Sequence, residues 1–383
     1  MNQRYGILTL SASDNCGSLL QTYALKKCVE MYCGVECEVI PFVSESSHQK
    51  YDIFPKQHLG LKRLAYKILY DQEIKKRTQR ILHYRELKRQ KAGYEFFRQH
   101  YIGMDSKREI SEKQILECAN DYDVLIVGSD QVWNVRMQDF SPIFLGAWSN
   151  GKKIAYAPSL GGTEIDAAGK PEYIEALQQF HTLSVRERKG QASLERVLGK
   201  PVELLADPTL VLPKDQWKEL VGEPLVKGDY IFYYSWAYRY EELLSIVRKE
   251  KERLQMPVYV VDYSKWLGRS ELGRDFLMTK EEGPLTFLNL MYYAKRVFVE
   301  SFHGTIFASI FQKDFWMLST CEKYEDMNTR IKELAELLKV KNRLLTRFNY
   351  EKIDKDAPVL YDEKPELLQL VNRSVDFLKE IRK

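Results

Sequence analysis

Short, almost wholly apolar runs alternate along this chain with longer stretches in which apolar positions recur every three to four residues. The first kind marks buried strands and the second marks helices with one buried face. Runs at 4–10, 38–42, 122–127, 153–157, 202–205, 230–234, 258–261, 297–300 and 315–318 read as strands. Helical spacing covers 18–32, where Leu19, Leu20, Tyr23, Ala24 and Val29 form one stripe, and returns at 59–90, 172–180, 240–254, 285–294, 330–338 and 367–381. This alternation predicts an α/β fold with parallel sheets flanked by helices. At 383 residues the chain is too long for one ordinary core, so two Rossmann-like domains are expected. The expected bounds are 1–212, with a basic helical insertion at about 56–100, then a linker at 213–228, then 229–363. A terminal helix at 364–383 is expected to cross back to the first domain.

Chemistry is expected just beyond the strands, because ligands of open α/β sheets bind outside the strands' carboxyl ends. After the strand at 297–300 come Ser301, Phe302, His303, Gly304 and Thr305. Ser301 is a natural helix cap, Gly304 lets backbone approach a ligand, and Thr305 adds a hydroxyl. The helix behind them is apolar nearly all round, so its first turn is held in the core and its N-terminus suits an anion. His303 stands in that turn as an acid or as a hydrogen-bonding partner of a neighbouring loop.

Three further turns fall in the first half: Asn15 with Gly17 and Gln21; Ser129 with Asp130, Trp133 and Asn134; and Arg186 with Glu187. The Arg186 fork suits a carboxylate or phosphate, or an ion pair with Glu187. Asp130 is placed to orient a hydroxyl or to cap its turn. Trp133 reads as a sugar platform or as core, and Asn15 and Gly17 read as ligand contacts or as conformational residues. Asp207, Pro208 and Thr209 read as a turn leaving the sheet. Three turns in one domain and one in the other argue for a cleft enzyme.

Composition narrows the classes. Hydrophobic residues at 44% and charged ones at 29% are those of a globular chain. No apolar run approaches the ~20 residues of a membrane span, and no signal-peptide hydrophobic region opens the sequence, which points to the cytoplasm. The six cysteines have no C-x-x-C spacing and no nearby histidines, so neither a metal site nor a disulfide framework is expected. Net charge is +4, yet 56–91 holds twelve Lys/Arg against three acids, leaving a net −5 on the remainder. That imbalance implies a local anionic contact and argues against nucleic-acid binding. Leu61, Leu64, Ala65, Ile68 and Leu69 share a face in this segment, which reads as a surface insertion or as a peripheral contact with an anionic membrane. The first loop lacks G-x-G-x-x-G and a P-loop lysine, so no nucleotide cofactor is expected.

Five motifs occur in order: Asn15-x-Gly17-x-x-Leu20-Gln21-x-x-Ala24-Leu25, Gly128-Ser129-Asp130-Gln131-Val132-Trp133-Asn134, Ser184-Val185-Arg186-Glu187, Asp207-Pro208-Thr209 and Ser301-Phe302-His303-Gly304-Thr305. Together they resemble the polysaccharide pyruvyl transferase family over about 4–318. Asp314 and Pro158 depart from the family pattern. The resemblance implies two Rossmann-like domains facing a cleft, in a glycosyltransferase-B-like arrangement. It further implies transfer of a pyruvyl group from phosphoenolpyruvate onto two hydroxyls of one sugar, giving a cyclic ketal and phosphate. The acceptor is expected to be lipid-linked or nucleotide-linked. On this reading His303 is the acid or a phosphate ligand, Arg186 clamps the donor, and Asp130 orients or deprotonates the acceptor. Asn15, Gly17, Gln21, Ser129, Trp133, Asn134, Glu187, Ser301, Gly304 and Thr305 line the substrates, and no metal is called for. A nucleotide-sugar-dependent glycosyltransferase of the same fold and a non-catalytic glycan-binding protein are the alternatives.

Overall fold

The structure, a computed structural model, describes residues 3–55, 67–105, 108–168, 170–321, 326–354 and 364–382. Two parallel sheets organise it. The first contains β1 (Tyr5–Leu8), β2 (Cys37–Val39), β3 (Val124–Val127) and β4 (Lys152–Ala155) in the order β2-β1-β3-β4. A two-stranded pair, β5 (Ser184–Val185) and β6 (Glu203–Leu204), lies beyond β4, tied to it by a bridge between Ile154 and Thr182. The second sheet contains β7 (Ile231–Tyr234), β8 (Val258–Tyr259), β9 (Arg296–Val299), β10 (Phe315–Leu318) and β11 (Leu344–Leu345) in the order β11-β10-β9-β7-β8.

In chain order the helices of the first half are α1 (Cys16–Cys28), α2 (Glu45–Tyr51), α3 (Lys67–Leu82), α4 (Tyr84–Phe97), α5 (Pro171–Gln178), α6 (Arg188–Leu198), α7 (Pro208–Val211) and α8 (Lys214–Lys218). Those of the second half are α9 (Glu241–Leu254), α10 (Pro284–Tyr293), α11 (Phe302–Ile310), α12 (Thr329–Leu337) and α13 (Pro365–Glu380). Parallel strands buried on both faces explain why β1, β3 and β7 read as continuous apolar runs: every residue in them is buried. Register brings strand ends together. Leu8 pairs with Val127 and Val127 with Ala155, so the loops that follow all emerge on one edge. The fold is α/β, with two parallel sheets flanked by helices, as the alternating pattern implied.

The two lobes share a core. Trp217 of α8 is fully buried, its ring 4.9 Å from Phe307 of the second lobe in a T-shaped contact and 5.7 Å from Tyr23 of the first. The 213–228 segment, expected as a linker, thus carries a helix packed into the interior. Helix α4 also bridges: Ser264 N donates to Gln90 Oε1 at 2.9 Å, and Tyr94 OH donates to Asp262. Gly93 lies so close to the second lobe that a Cβ on it would sit 2.0 Å from the Glu282 carbonyl oxygen.

Helix α13 returns to the first lobe, where Ala206 N donates to Ser374 Oγ at 2.8 Å and Cys33 Sγ to the Leu378 carbonyl at 2.9 Å. Helix α1 begins at Cys16, two residues earlier than its apolar spacing suggests, because Asn15 Oδ1 accepts from Ser18 N at 3.1 Å and caps it. The helical span read at 59–90 is broken at His83 and continues to Phe97; its part at 56–66, with Leu61, Leu64 and Ala65, lies outside the described residues.

Candidate active site between the two lobes

Ser301 opens α11 as expected from its hydroxyl. Its Oγ accepts from Gly304 N at 2.9 Å, and Thr305 Oγ1 returns a bond to the Ser301 carbonyl at 3.0 Å. This fixes the first turn, and with it His303, which is 8% exposed. Across the joint, α1 begins against the same imidazole: a Cβ on Gly17 would lie 2.4 Å from His303 Nδ1.

Arg186 follows β5 and points to the same place. Its guanidinium stacks over the Phe302 ring at 4.1 Å, a cation–π contact between lobes. Its Nη1 donates to Asp207 Oδ2, and the same carboxylate oxygen lies 3.4 Å from His303 Nε2. Asp207 caps α7 with its other oxygen, accepting from Thr209 N at 3.0 Å and from Thr209 Oγ1 at 2.6 Å. Burial alone would raise its pKa, but His303, Arg186 and Thr209 together hold it well below the usual carboxylate range. Asp207 is therefore an anion at neutral pH, tying an arginine of one lobe to a histidine of the other. The sequence reading made it only a turn residue.

A cavity of about 360 Å³ opens beside this triad. Arg186, Glu187 and Asp207 line it from the first lobe, Phe302 and Arg330 from the second, and α13 supplies Arg373. Buried polar atoms of three lining residues lack a hydrogen-bond partner: Arg186 Nε and Nη2, Glu187 Oε2 and Arg330 Nε. His303 does not line the cavity itself; its Nε2 is turned to Asp207 behind that wall. Buried polar groups are nearly always paired, so these atoms are open to a polar occupant, whether water or a ligand. Arg330 went unnoticed in the sequence because it sits at the start of an ordinary amphipathic helix.

Other candidates support the strand-end loops without reaching this cavity. Gln21 Nε2 donates to Thr9 Oγ1 at 2.9 Å, Ser129 Oγ to the Ala157 carbonyl at 2.7 Å, and Asn134 Nδ2 to Gln131 Oε1 at 2.9 Å. Trp133 is fully buried, its indole N–H donating to the Phe144 carbonyl at 3.0 Å, so its faces are spent on core packing. Asp130 accepts from Ser18 Oγ at 2.6 Å and lies within electrostatic reach of Arg186 and Arg330. Glu187, unlike these, does line the cavity; it accepts from Ser159 Oγ and lies 3.5 Å from Arg186 Nε, the ion pair that was the alternative reading. Among the described residues no group of three or more His, Cys, Asp or Glu is placed to hold a metal ion, and no helix is long and apolar enough to cross a membrane.

Solved structures with a related arrangement include S. aureus MnaA with UDP (12% identity, covering 99% of this chain and 94% of that chain, TM-score 0.49). They include UDP-GlcNAc 2-epimerase from Methanocaldococcus jannaschii (12%, covering 99% and 100%, TM-score 0.48). E. coli heptosyltransferase WaaC with ADP-2-deoxy-2-fluoro heptose is more distant (13%, covering 85% and 91%, TM-score 0.39). No curated protein matches the chain in sequence. The profile of polysaccharide pyruvyl transferases does, over residues 15–322, a span that takes in Gly17, Asp130, Arg186, Asp207 and His303. The chain therefore belongs to the polysaccharide pyruvyl transferase family.

Proposed function

We propose that this transferase moves the pyruvyl group of phosphoenolpyruvate onto two hydroxyls of one sugar in a surface or capsular polysaccharide precursor. The supporting observation is the meeting of Arg186 and His303 on one oxygen of Asp207, beside a cavity edged with free N–H groups. A small, multiply charged donor needs charge-assisted hydrogen bonds rather than a nucleotide pocket. Arg186 offers Nε and Nη2 to the donor while Asp207 and Phe302 hold its plane. His303 Nε2 contacts the donor's phosphate or delivers the proton that converts the methylene carbon to methyl. The neighbouring carbon then takes the first sugar hydroxyl. Attack by the second hydroxyl expels phosphate and closes the ketal. Of the two hydroxyl protons released, one balances the proton gained by the methyl group and the other leaves on phosphate. Asp130, on the first lobe, orients or deprotonates the acceptor.

The acceptor is lipid-linked or nucleotide-linked on this reading, and the protein works in the cytoplasm at the inner face of the membrane. Support comes from α3 and α4, which expose Ile74, Ile81, Leu82 and Tyr84 among Lys75, Arg77, Arg85 and Lys88. Exposed apolar side chains among cations are suited to an anionic lipid surface. The deciding experiment for the reaction is phosphate release from phosphoenolpyruvate in the presence of candidate acceptors, with mass spectrometry of the product. A pyruvyl-ketal mass increment is expected. Phosphate release without it, or none with any glycan precursor of the host, would exclude the reaction.

A further inference from the structure

Arg330 lies beyond the segment that matches the family and belongs to none of its motifs. It is the second residue of α12, behind the cap formed where its own backbone N donates to Asn328 Oδ1 at 3.0 Å. Its guanidinium has no hydrogen-bond partner among the described residues, and its Nε is buried. Arg98 shows how this fold treats an arginine that is only structural. That side chain is also buried, and it bonds the Ser11, Ala12 and Ser13 carbonyls and the Asp14 carboxylate. Arg330 has no such set of acceptors. It lines the same cavity as Arg186 of the other lobe, whose Nη2 has no hydrogen-bond partner and whose Nε lies 3.5 Å from Glu187 Oε1.

A buried guanidinium (Arg186) and a half-buried one (Arg330) beside one cavity are unfavourable as they stand. Burial and then the charge of Arg186 push the Arg330 pKa below the ordinary arginine value, against partial relief from Glu187 and Asp130. Asp207 is committed to Arg186 and His303, so it does not neutralise Arg330. An anion seated between the guanidiniums would pair both and remove their repulsion.

We infer that Arg186 and Arg330 form an anion clamp, one guanidinium from each lobe, that closes on a phosphate or carboxylate group of the ligand. The inference rests on the proposed donor, of which it names the second cationic contact. Arg330 binds the donor and takes no part in proton transfer. Its position on α12 couples donor binding to the seating of that helix against the first lobe, where Arg188 N already donates to Glu333 Oε2 at 2.8 Å.

The test is isothermal titration of the full-length protein and of R330Q and R330K with phosphoenolpyruvate and, separately, with inorganic phosphate. Melting curves show that each variant is folded. R330Q is expected to weaken phosphoenolpyruvate binding roughly 10–100-fold, the effect of a lost charge-assisted pair. R330K, which keeps the charge without the fork, is expected to lose less, and it carries the comparison should R330Q fail to fold. A parallel loss for inorganic phosphate assigns the clamp to the phosphate group; a loss for phosphoenolpyruvate alone assigns it to the carboxylate. Unchanged phosphoenolpyruvate binding in both variants overturns the clamp and leaves the donor standing. If the wild type binds inorganic phosphate, loses it in R330Q, and ignores phosphoenolpyruvate, the donor is overturned and the clamp stands. Binding of neither anion by the wild type overturns both.

Discussion

Gly17 and His303 belong to different lobes, yet there is no room between them for a methyl group. A Cβ at position 17 would approach the imidazole to 2.4 Å at Nδ1 and 2.8 Å at Cγ. Gly17→Ala must therefore push His303 off its position or part the lobes. A displacement of about 1 Å at a reacting group costs on the order of 10²-fold in rate. G17A is expected to lower kcat/KM by about that factor while far-ultraviolet circular dichroism stays unchanged; full activity would mean that His303 need not stand where it does.

His303→Ala separates two roles. If the imidazole supplies the proton, kcat falls about 10²–10⁴-fold with little change in donor affinity. If it holds phosphate, the loss appears in the KM for phosphoenolpyruvate. Steady-state kinetics over a range of donor concentrations distinguish them, and an unaltered kcat and KM would remove His303 from the site.

Asp207→Asn leaves Arg186 buried without its strongest partner. Breaking a buried ion pair on one side costs on the order of 3–5 kcal/mol, so urea unfolding at pH 7 should show a loss of that size. The pH dependence follows from the lowered pKa. The unfolded carboxylate titrates near 3.9 and the folded one lower, so its stabilising contribution is complete above that value and declines as pH falls below about 4. D207N should lose that acid-side decline; an unchanged profile would show that the pairing is not felt.

Glu282 acts in the opposite direction. Burial first, and then the nearby Asp262, push its carboxyl up to about 8. Between roughly pH 4.5 and 8 the folded protein therefore keeps a proton that the unfolded chain has released. Stability contributed by that protonation falls as pH rises through the window. Glu282→Gln is expected to flatten the alkaline side of the profile, measured as thermal midpoint from pH 6 to 9. Because Gly93 of α4 packs on the Glu282 backbone, that limb reports on the joint between the lobes.

Contact with anionic membranes makes a separate prediction. Replacing Lys75, Arg77, Arg85 and Lys88 with glutamine should weaken partition onto vesicles containing phosphatidylserine by up to roughly 10³-fold, each surface cation contributing about 1 kcal/mol. Equal sedimentation of variant and wild type would show that α3 and α4 do not read lipid charge.

The strands and the opening turn of α11 were legible in the sequence because each depends on local chemistry, and the approach of Arg186 to His303 was suggested only by their places just beyond strands of two domains. Apolar runs mark buried parallel strands, and a serine before a glycine-containing turn marks a cap. Asp207 was hidden by that same locality. Asp-Pro-Thr is a satisfied turn when read alone, with Oδ1 accepting from Thr209, and nothing nearby in the chain reveals that Oδ2 faces an arginine 21 residues earlier and a histidine of the other lobe. Its one available signal was position, since it follows β6 as Arg186 follows β5. Arg330 carried no signal at all, because a cation at the start of a helix is common on protein surfaces. The anchoring of 213–228 through Trp217 and Val221 was missed for a related reason: prolines and glycines there suggested a free connector, while most of the segment is indeed exposed.

Helix α13 has a consequence for timing. Glu366, Gln369, Leu370 and Arg373 form part of the wall around the cavity, although Arg186 and Asp207 stand 159 to 187 residues earlier. While the ribosome is still reading the message for 365–380, the pocket has one side open to water. The enclosure is finished only when α13 docks, with Ala206 N donating to Ser374 Oγ and Cys33 Sγ to the Leu378 carbonyl.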